Sequence, residues 1–116
     1  MRVIVCGSRD WTGSESIARE LGLLPEGTTI IHGGCRGADT TAARIAYVLR
    51  HEVKEFRADW ESLGKAAGNI RNQQMLDSGR VDLVLAFHDD LAKSKGTKDM
   101  VRRAKKAGVE VRVFTT

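Results

Sequence analysis

The sequence is poor in cysteine, proline and aromatic residues. Its two cysteines, Cys6 and Cys35, are too few for a disulfide framework and form no CxxC pair, which excludes a small disulfide-stabilised scaffold. The N-terminal apolar run, residues 3–6, is far too short for a signal peptide or a membrane span. These absences predict a cytoplasmic protein with no membrane partner.

Several ligand-binding motifs are also missing. The sequence has no GxGxxG fingerprint and no GK[ST] of a P-loop, which disfavours an ordinary dinucleotide-binding or ATPase domain. It has no HExxH or paired histidine spacing, so we predict neither a metal nor a cofactor. The alternative is a metal site formed by His32 and His88 with Asp89 or Asp90. Cys35 has no evident base partner, which disfavours a nucleophilic cysteine.

The composition that remains is that of a globular protein. Hydrophobic residues make up 41% of the chain and charged residues 29%, which excludes disorder. The length of 116 residues predicts a single domain, residues 1–116. The net charge of +4 favours an anionic partner. Much of that charge falls in residues 93–106, where a solvated helix face is the alternative interpretation.

Short β-branched runs alternate with longer amphipathic stretches. Strands are predicted over residues 3–6, 28–32, 52–56, 81–87 and 109–114. Helices are predicted from Ser14 or Ser16, over residues 38–49 and 66–76, and from Gly96 to about residue 107, with an irregular segment around Trp60. This alternation predicts an α/β fold, a Rossmann-like three-layer sandwich with a five-stranded parallel sheet. The apolar fourth strand is predicted to lie inside the sheet.

The residues that follow each strand carry the predicted function, because ligands of open parallel sheets bind beyond the carboxyl ends of the strands. The glycines after the second strand permit a sharp turn in which N–H groups face an anion at a helix N-terminus. Arg36 would add a forked phosphate contact, and Thr97 would be an N-cap or a phosphate ligand. The alternative is a tight turn and simple capping with no ligand.

Two other features extend this candidate site. Arg71 and Met75 share one helix face, so Arg71 is either a ligand residue or a surface residue over a core methionine. Trp11 and Trp60 would stack on a base or act as packing anchors. The complete set of candidate ligand-binding residues is Gly7, Ser8, Arg9, Gly33, Gly34, Arg36, Gly37, Asp39, Trp60, Arg71, Asn72, His88, Ser94, Gly96 and Thr97.

Three segments in the right order resemble the SLOG superfamily, which includes the DNA-processing protein DprA (Smf) and the LONELY GUY phosphoribohydrolases. Residues 30–39, reading IIHGGCRGAD, resemble its second-strand signature. Residues 71–75, with Gly96 and Thr97 after the fourth strand, resemble its second half. The opening residues 5–10 are similar to the YspA-type branch of small stand-alone domains. The resemblance covers nearly the whole chain.

The resemblance implies a Rossmannoid fold, a pocket for nucleotides or their derivatives, a homodimer, and the cytoplasm of a bacterium or a phage-infected bacterium. The phosphoribohydrolase branch carries a PGGxGTxxE motif. Gly96 and Thr97 match its second Gly-Thr, but the Pro-Gly-Gly is absent and Met100 stands in place of the glutamate. A carboxylate should stabilise the oxocarbenium-like charge of glycosidic cleavage. The candidate catalytic carboxylates that would substitute for it are Asp39, Asp89 and Asp99, with Asp10 as a further alternative.

These observations favour a domain that binds a nucleotide or nucleotide-derived, phosphate-bearing ligand at the carboxyl edge of the sheet, as a sensor, scavenger or processing factor. One alternative is a hydrolase that cleaves the N-glycosidic bond of a nucleoside 5′-monophosphate. Another is DprA-like binding of single-stranded DNA, although no basic stripe with interleaved aromatics supports it. A purely structural interaction module is the last alternative.

Overall fold

A computed structural model describes all 116 residues, and at its centre lies a five-stranded sheet. Every neighbouring pair of strands is parallel, and the strand order is β3-β2-β1-β4-β5. The strands are β1 (Arg2–Gly7), β2 (Thr29–His32), β3 (Glu52–Glu55), β4 (Leu83–Phe87) and β5 (Glu110–Phe114). The predicted Rossmann-like fold with a five-stranded parallel sheet is therefore confirmed.

Helices cover both faces of this sheet. They are α1 (Ser14–Gly22), α2 (Ala38–Val48), α3 (Trp60–Leu63), α4 (Ala67–Asp77) and α5 (Gly96–Lys106). Helices α1 and α2 pack together on one face, and α4 and α5 pack together on the other. Short 3₁₀ turns at Gly64–Ala66 and Leu91–Lys93 precede α4 and α5. None of the helices combines the length and the apolarity that crossing a bilayer requires.

The two faces of the sheet bury two separate cores. Along β1, Val3 and Val5 contribute to the core under α1 and α2, whereas Ile4 and Cys6 contribute to the core under α4 and α5. This alternation follows from the two-residue period of a strand. All five residues of β4 are buried, as predicted for an interior strand. Strands β1 and β4 therefore each contribute side chains to both cores.

The structure differs from the predicted elements mainly at their boundaries. Strand β4 begins at Leu83 instead of residue 81, because the Asp82 carboxylate accepts a hydrogen bond from the Arg2 N–H at 2.8 Å. Helix α1 starts at Ser14, but neither predicted serine caps it: the N-cap is Gly13, and the Ser16 hydroxyl donates to the Gly13 carbonyl.

The segment predicted to be irregular contains the short helix α3. Its N-cap is Asp59, whose carboxylate accepts a hydrogen bond from the N–H of Ser62 at 3.1 Å. Capping of this kind stabilises a helix that is too short to form by propensity alone. The consequence for function is that Trp60, the first residue of α3, has a defined position.

Candidate functional site

The strand order reverses between β1 and β4. The chain runs outward from β1 to β2 and β3, then returns across the sheet to β4, so the connections that leave β1 and β4 diverge and open a crevice at their carboxyl ends. Gly7 pairs with Phe87 at this point, and the Ser8 N–H donates to the Phe87 carbonyl at 2.8 Å. A Cβ on Gly7 would overlap that carbonyl oxygen and lie 2.7 Å from the Cβ of Ala38. Only glycine fits at the base of the crevice.

A cleft of about 710 Å³ occupies this crevice. Eleven of the candidate ligand-binding residues line it: Gly7, Ser8, Arg9, Asp39, Trp60, Arg71, Asn72, His88, Ser94, Gly96 and Thr97. A shallower space of about 400 Å³, which we call the outer groove, adjoins it and is lined by Gly33, Gly34 and Arg36. The structure therefore brings the residues after β1 and β4 together in one cleft and places most of the glycine-rich loop beside it.

The N–H groups of the glycine-rich loop bond within the protein instead of facing an anion. Those of Gly33 and Cys35 donate to the Asp39 carboxylate at 3.0 and 3.4 Å, and that of Gly34 donates to Nδ1 of His32 at 3.0 Å. At the end of this loop, Gly37 has a left-handed φ of +80°, which favours glycine. A Cβ on Gly37 would also overlap the backbone carbonyls of Ser8 and Arg9, which follow β1. The role of this loop is to position Asp39 and to make room for Arg71.

Arg71 is the most constrained cation of the cleft. It is only 8% exposed, so the alternative of a surface arginine over a core methionine is wrong. Its Nη1 donates to the Gly33 carbonyl at 2.8 Å and its Nε to the Asn72 side chain at 3.2 Å. A Cβ on Gly33 would overlap the guanidinium, which explains that glycine. Since Nη2 makes none of these bonds, a fixed, partly desolvated donor is left for a ligand in the cleft.

Asn72 extends this network to α5. Its side-chain amide donates to the Gly96 carbonyl at 3.1 Å and to the Asp99 carboxylate at 3.0 Å. Arg102 and Arg103 also donate to Asp99, at 2.7 and 2.8 Å. Burial would raise the pKa of Asp99, but hydrogen bonds from Asn72 and the two arginines outweigh it and lower the pKa. Asp99 does not line the cleft, and both of its oxygens are engaged.

Of the three carboxylates predicted as catalytic, Asp39 alone lines the cleft. Asp89 is exposed, and it accepts hydrogen bonds from the N–H and hydroxyl of Thr116, which lower its pKa. Asp39 is 5% exposed, and burial raises its pKa to about 6 against the opposing hydrogen bonds from Cys35 and Gly33. Asp10 also borders the cleft, but on an exposed loop. Burial and position in the cleft therefore separate Asp39 from the other candidate carboxylates, which spacing along the sequence could not do.

Asp39→Asn is expected to remove a pH dependence of stability. The folded-state pKa of about 6 lies above the unfolded value of about 3.9. The stability that protonated Asp39 contributes is therefore fully present below the unfolded pKa and is lost as the pH rises through 6. The contribution of Asp39 to the free energy of unfolding should thus fall by roughly 2 kcal/mol between pH 4 and pH 7. Urea unfolding at both pH values should show this loss in the native protein and not in Asp39→Asn. The exposed Asp77→Asn is the matched control, and an equal loss in Asp39→Asn would contradict the assignment.

The start of α5 is organised by Ser94, so the alternative in which Thr97 is the N-cap is wrong. The Ser94 hydroxyl accepts hydrogen bonds from the N–H groups of Thr97 and Lys98 at 3.1 and 3.4 Å. Thr97 lies inside the first turn and is 6% exposed. Ser94, Lys95, Gly96 and Thr97 still line the cleft, so the positive end of the α5 dipole points towards it.

The two tryptophans have different roles. Trp11 is buried, packs edge-to-face on Phe87 at a centroid distance of 5.6 Å, and donates to the Gly13 carbonyl, so it is a packing anchor. Trp60 is 53% exposed and borders both the cleft and the outer groove. Trp60 is therefore the aromatic surface that the site offers for stacking.

The remaining candidates surround the cleft without forming a reactive cluster. Arg36 is exposed, pairs with Asp10 at 3.6 Å and borders only the outer groove. His88 lines the cleft, and its Nδ1 accepts a hydrogen bond from the Asp90 N–H. Burial raises the pKa of the Cys6 thiol and lowers that of the His32 imidazole. No group of three or more His, Cys, Asp or Glu side chains is placed to hold a metal ion.

Sequence reasoning missed part of the cleft wall. Lys65, Gly68, Asn69 and Met75 line the cleft together with Asn72. Apart from the adjacent pair Gly68 and Asn69, these positions follow one another at intervals of three residues, which is the spacing of one helix face. The spacing around α4 therefore indicates that these residues share one helix face, but it does not indicate that this face lines a ligand site.

Comparison with known proteins agrees with the fold. A family model described as the YspA, cpYpsA-related SLOG family matches residues 1–62. Gene 61 protein of Mycobacterium phage D29 is 43% identical over 119 residues, covering 95% of this chain and 93% of its own. The X-ray structure of DNA processing protein A (DprA) from Streptococcus pneumoniae superposes with a TM-score of 0.78 at 18% identity, over 97% of this chain. This chain spans about half of that protein, 49%. The chain belongs to the YspA, cpYpsA-related SLOG family.

Proposed function

We propose that this protein binds a nucleotide or nucleotide-derived ligand through its phosphate in the cleft between the carboxyl ends of β1 and β4. The observation that carries the proposal is Arg71, whose buried guanidinium is fixed by Gly33 and Asn72 and whose Nη2 is left for the ligand. A planar, always charged and pre-oriented donor set matches a phosphate group. Because its orientation is set before binding, little rotamer entropy is lost on contact.

Other features of the cleft fit the same ligand. Its volume lies in the range of about 300–1,000 Å³ that accommodates cofactor-sized molecules. Arg9, Lys65 and Lys95 add positive charge around it, and Trp60 offers a face on which a base would stack. The start of α5 supports a sugar hydroxyl or a phosphate oxygen.

The comparisons support the same class of ligand at a coarser level. SLOG family membership, together with the structural similarity to a DNA processing protein, suggests nucleotide- or DNA-related binding. We infer that the protein acts in the cytoplasm of a bacterium or phage-infected bacterium, which the phage relative supports. The single-domain organisation and the homodimer remain predictions.

Thermal melting against a ligand panel tests the proposal. The panel holds nucleoside mono-, di- and triphosphates, ADP-ribose, NAD, cyclic nucleotides and a short single-stranded DNA. A ligand at about 100 times its Kd adds roughly 2.7 kcal/mol, which for a protein of this size shifts the midpoint by roughly 10 °C. We expect such a shift with one class of nucleotide. A shift with single-stranded DNA alone, weakening steeply with salt, would contradict small-ligand binding, and no shift with any member would contradict the cleft as a nucleotide site.

A second candidate function is cleavage of the N-glycosidic bond of a nucleoside 5′-monophosphate, favoured by Asp39. A carboxyl group that titrates near pH 6 inside a phosphate-binding cleft is suited to proton transfer or to stabilising an oxocarbenium-like charge. The panel members that shift the melting midpoint are incubated with the protein, and release of free base is followed by chromatography. Asp39→Asn should abolish release while the thermal shift persists, whereas release that survives in Asp39→Asn would exclude Asp39 as the catalytic group.

A further inference from the structure

The outer groove is strongly basic. Four of its nine lining residues are arginines: Arg9, Arg36, Arg57 and Arg71. The rest of its wall is formed largely by the small residues of the glycine-rich loop and by Trp60. Guanidinium groups arranged around exposed backbone and an aromatic edge are the usual surroundings of a phosphate.

The outer groove and the cleft form one continuous surface. Arg9, Cys35, Trp60 and Arg71 line both of them. Because the buried guanidinium of Arg71 lies at the junction, an anion bound to it in the cleft is next to the outer groove. A ligand can therefore extend from one space into the other without leaving the positively charged surface.

The charges of the outer groove are only partly neutralised by the protein. Arg36 pairs with Asp10 at 3.6 Å, and Arg57 pairs with Glu55 at 2.8 Å, whereas Arg9 and Arg71 form no ion pair. The side chains of Arg36 and Arg57 are each 76% exposed. Exposed pairs of this kind contribute little to stability, so a phosphate with a higher charge density can replace the carboxylates as their partner.

We propose that the ligand carries a second phosphate group, as in a nucleoside diphosphate or a pyrophosphate-linked nucleotide. Its first phosphate binds Arg71 in the cleft, and its second binds Arg57 and Arg36 in the outer groove. This inference rests on the proposed function, since it assigns the ligand class of the same site.

The surface favours such a small ligand over a nucleic-acid strand. A strand-binding track needs a basic groove several nucleotides long with a succession of aromatic side chains. Here Trp60 is the one exposed aromatic side chain at the site. Tyr47, the other strongly exposed ring, lies near the end of α2 and lines neither space.

Calorimetric titration with the mono- and diphosphates of the common nucleosides tests this assignment. The native protein should bind the diphosphate about 10- to 100-fold more tightly than the matching monophosphate. In Arg57→Gln that ratio should fall close to one. Arg112→Gln is the matched control, because Arg112 is an arginine whose Nε donates to the glutamate two residues before it, as in Arg57, but it lies in β5 away from both spaces. This control should keep the ratio of the native protein.

The other outcomes separate this inference from the proposed function. Equal affinities for mono- and diphosphates in the native protein would overturn the second phosphate site and leave nucleotide binding intact. An unchanged ratio in Arg57→Gln would overturn the role of the outer groove. Tighter binding of a single-stranded oligonucleotide than of any diphosphate, lost in Arg57→Gln, would overturn the small-ligand assignment in favour of a strand. Absence of binding by every nucleotide would overturn both proposals.

Discussion

Arg71→Met is expected to weaken nucleotide binding by about 30-fold or more, the largest loss of affinity at any position in the cleft. Truncating one partner of a buried, hydrogen-bonded charge pair costs about 2–5 kcal/mol, and 2 kcal/mol corresponds to roughly 30-fold in Kd. Arg71 meets this description because it is 8% exposed and already oriented by the Gly33 carbonyl. Calorimetric titration with the panel ligand that gives the largest thermal shift measures the effect.

Two further variants separate loss of the contact from other effects. Arg44→Met removes one positive charge from an exposed position of α2 outside the cleft, so it should leave affinity nearly unchanged. Arg71→Lys keeps the charge but loses the planar fork, and we expect an intermediate affinity. Arg71→Met also leaves the buried Gly33 carbonyl without its donor, so it should lower the free energy of unfolding by about 1–3 kcal/mol. The titrations are therefore carried out at a temperature well below the melting midpoint of this variant. Native-like affinity in folded Arg71→Met would remove the main support for the proposed site.

Gly7→Ala is expected to lower the free energy of unfolding by about 3 kcal/mol or more, because the added methyl group overlaps rigid neighbours at the base of the crevice. Overpacking usually costs about 1–3 kcal/mol, and here the methyl group meets the Phe87 carbonyl and the Cβ of Ala38, neither of which is the end of a flexible side chain. Strand β4, which carries Phe87, is buried by layers on both sides, so it cannot move away cheaply. Urea unfolding followed by circular dichroism measures the change.

The matched control for Gly7→Ala is Gly22→Ala. A Cβ on Gly22 meets nothing within 4 Å, and Gly22 is the last residue of α1. Alanine there should leave stability unchanged or raise it by up to about 1 kcal/mol, because glycine is the poorer helix former. Similar losses in both variants would show that crowding at the junction of β1 and β4 is not the cause.

Much of the fold was predictable because its cause is local. The β-branched run of β1 and the fully apolar β4 identify strands, and the three- and four-residue spacing of Ala38, Ala42 and Ala46 identifies one face of α2. Alternation of these elements restricts the sheet to a parallel, right-handed arrangement. The short helix α3 was missed because its cap, Asp59, acts over only one turn.

The candidate site was less predictable because its decisive contacts join distant residues. Arg71 is buried only because Gly33, thirty-eight positions earlier, leaves room for the guanidinium and accepts its hydrogen bond. Asp39 and Asp99 look alike in the sequence, yet one faces the cleft and the other is held by two arginines in α5. Spacing along the chain does not show that Arg71 is buried or that Asp39, rather than Asp99, faces the cleft. The rule that ligands bind beyond the carboxyl ends of parallel strands did identify the edge of the sheet at which the cleft lies.

The position of β1 between β2 and β4 has a consequence for the newly made chain. Strand β1, the first strand of this sheet to be synthesised, needs a partner that is made some 80 residues later, since Cys6 pairs with Ala86. At about 5–20 residues per second, one edge of β1 waits roughly 4 to 16 seconds for β4. During that interval the apolar residues of β1 that later contact α4 and α5 are uncovered and open to mispairing. The pairing of β1 with β4, at which the cleft opens, therefore forms only after β2 and β3 have been made, and the nascent protein acquires its binding site late in the synthesis of this sheet.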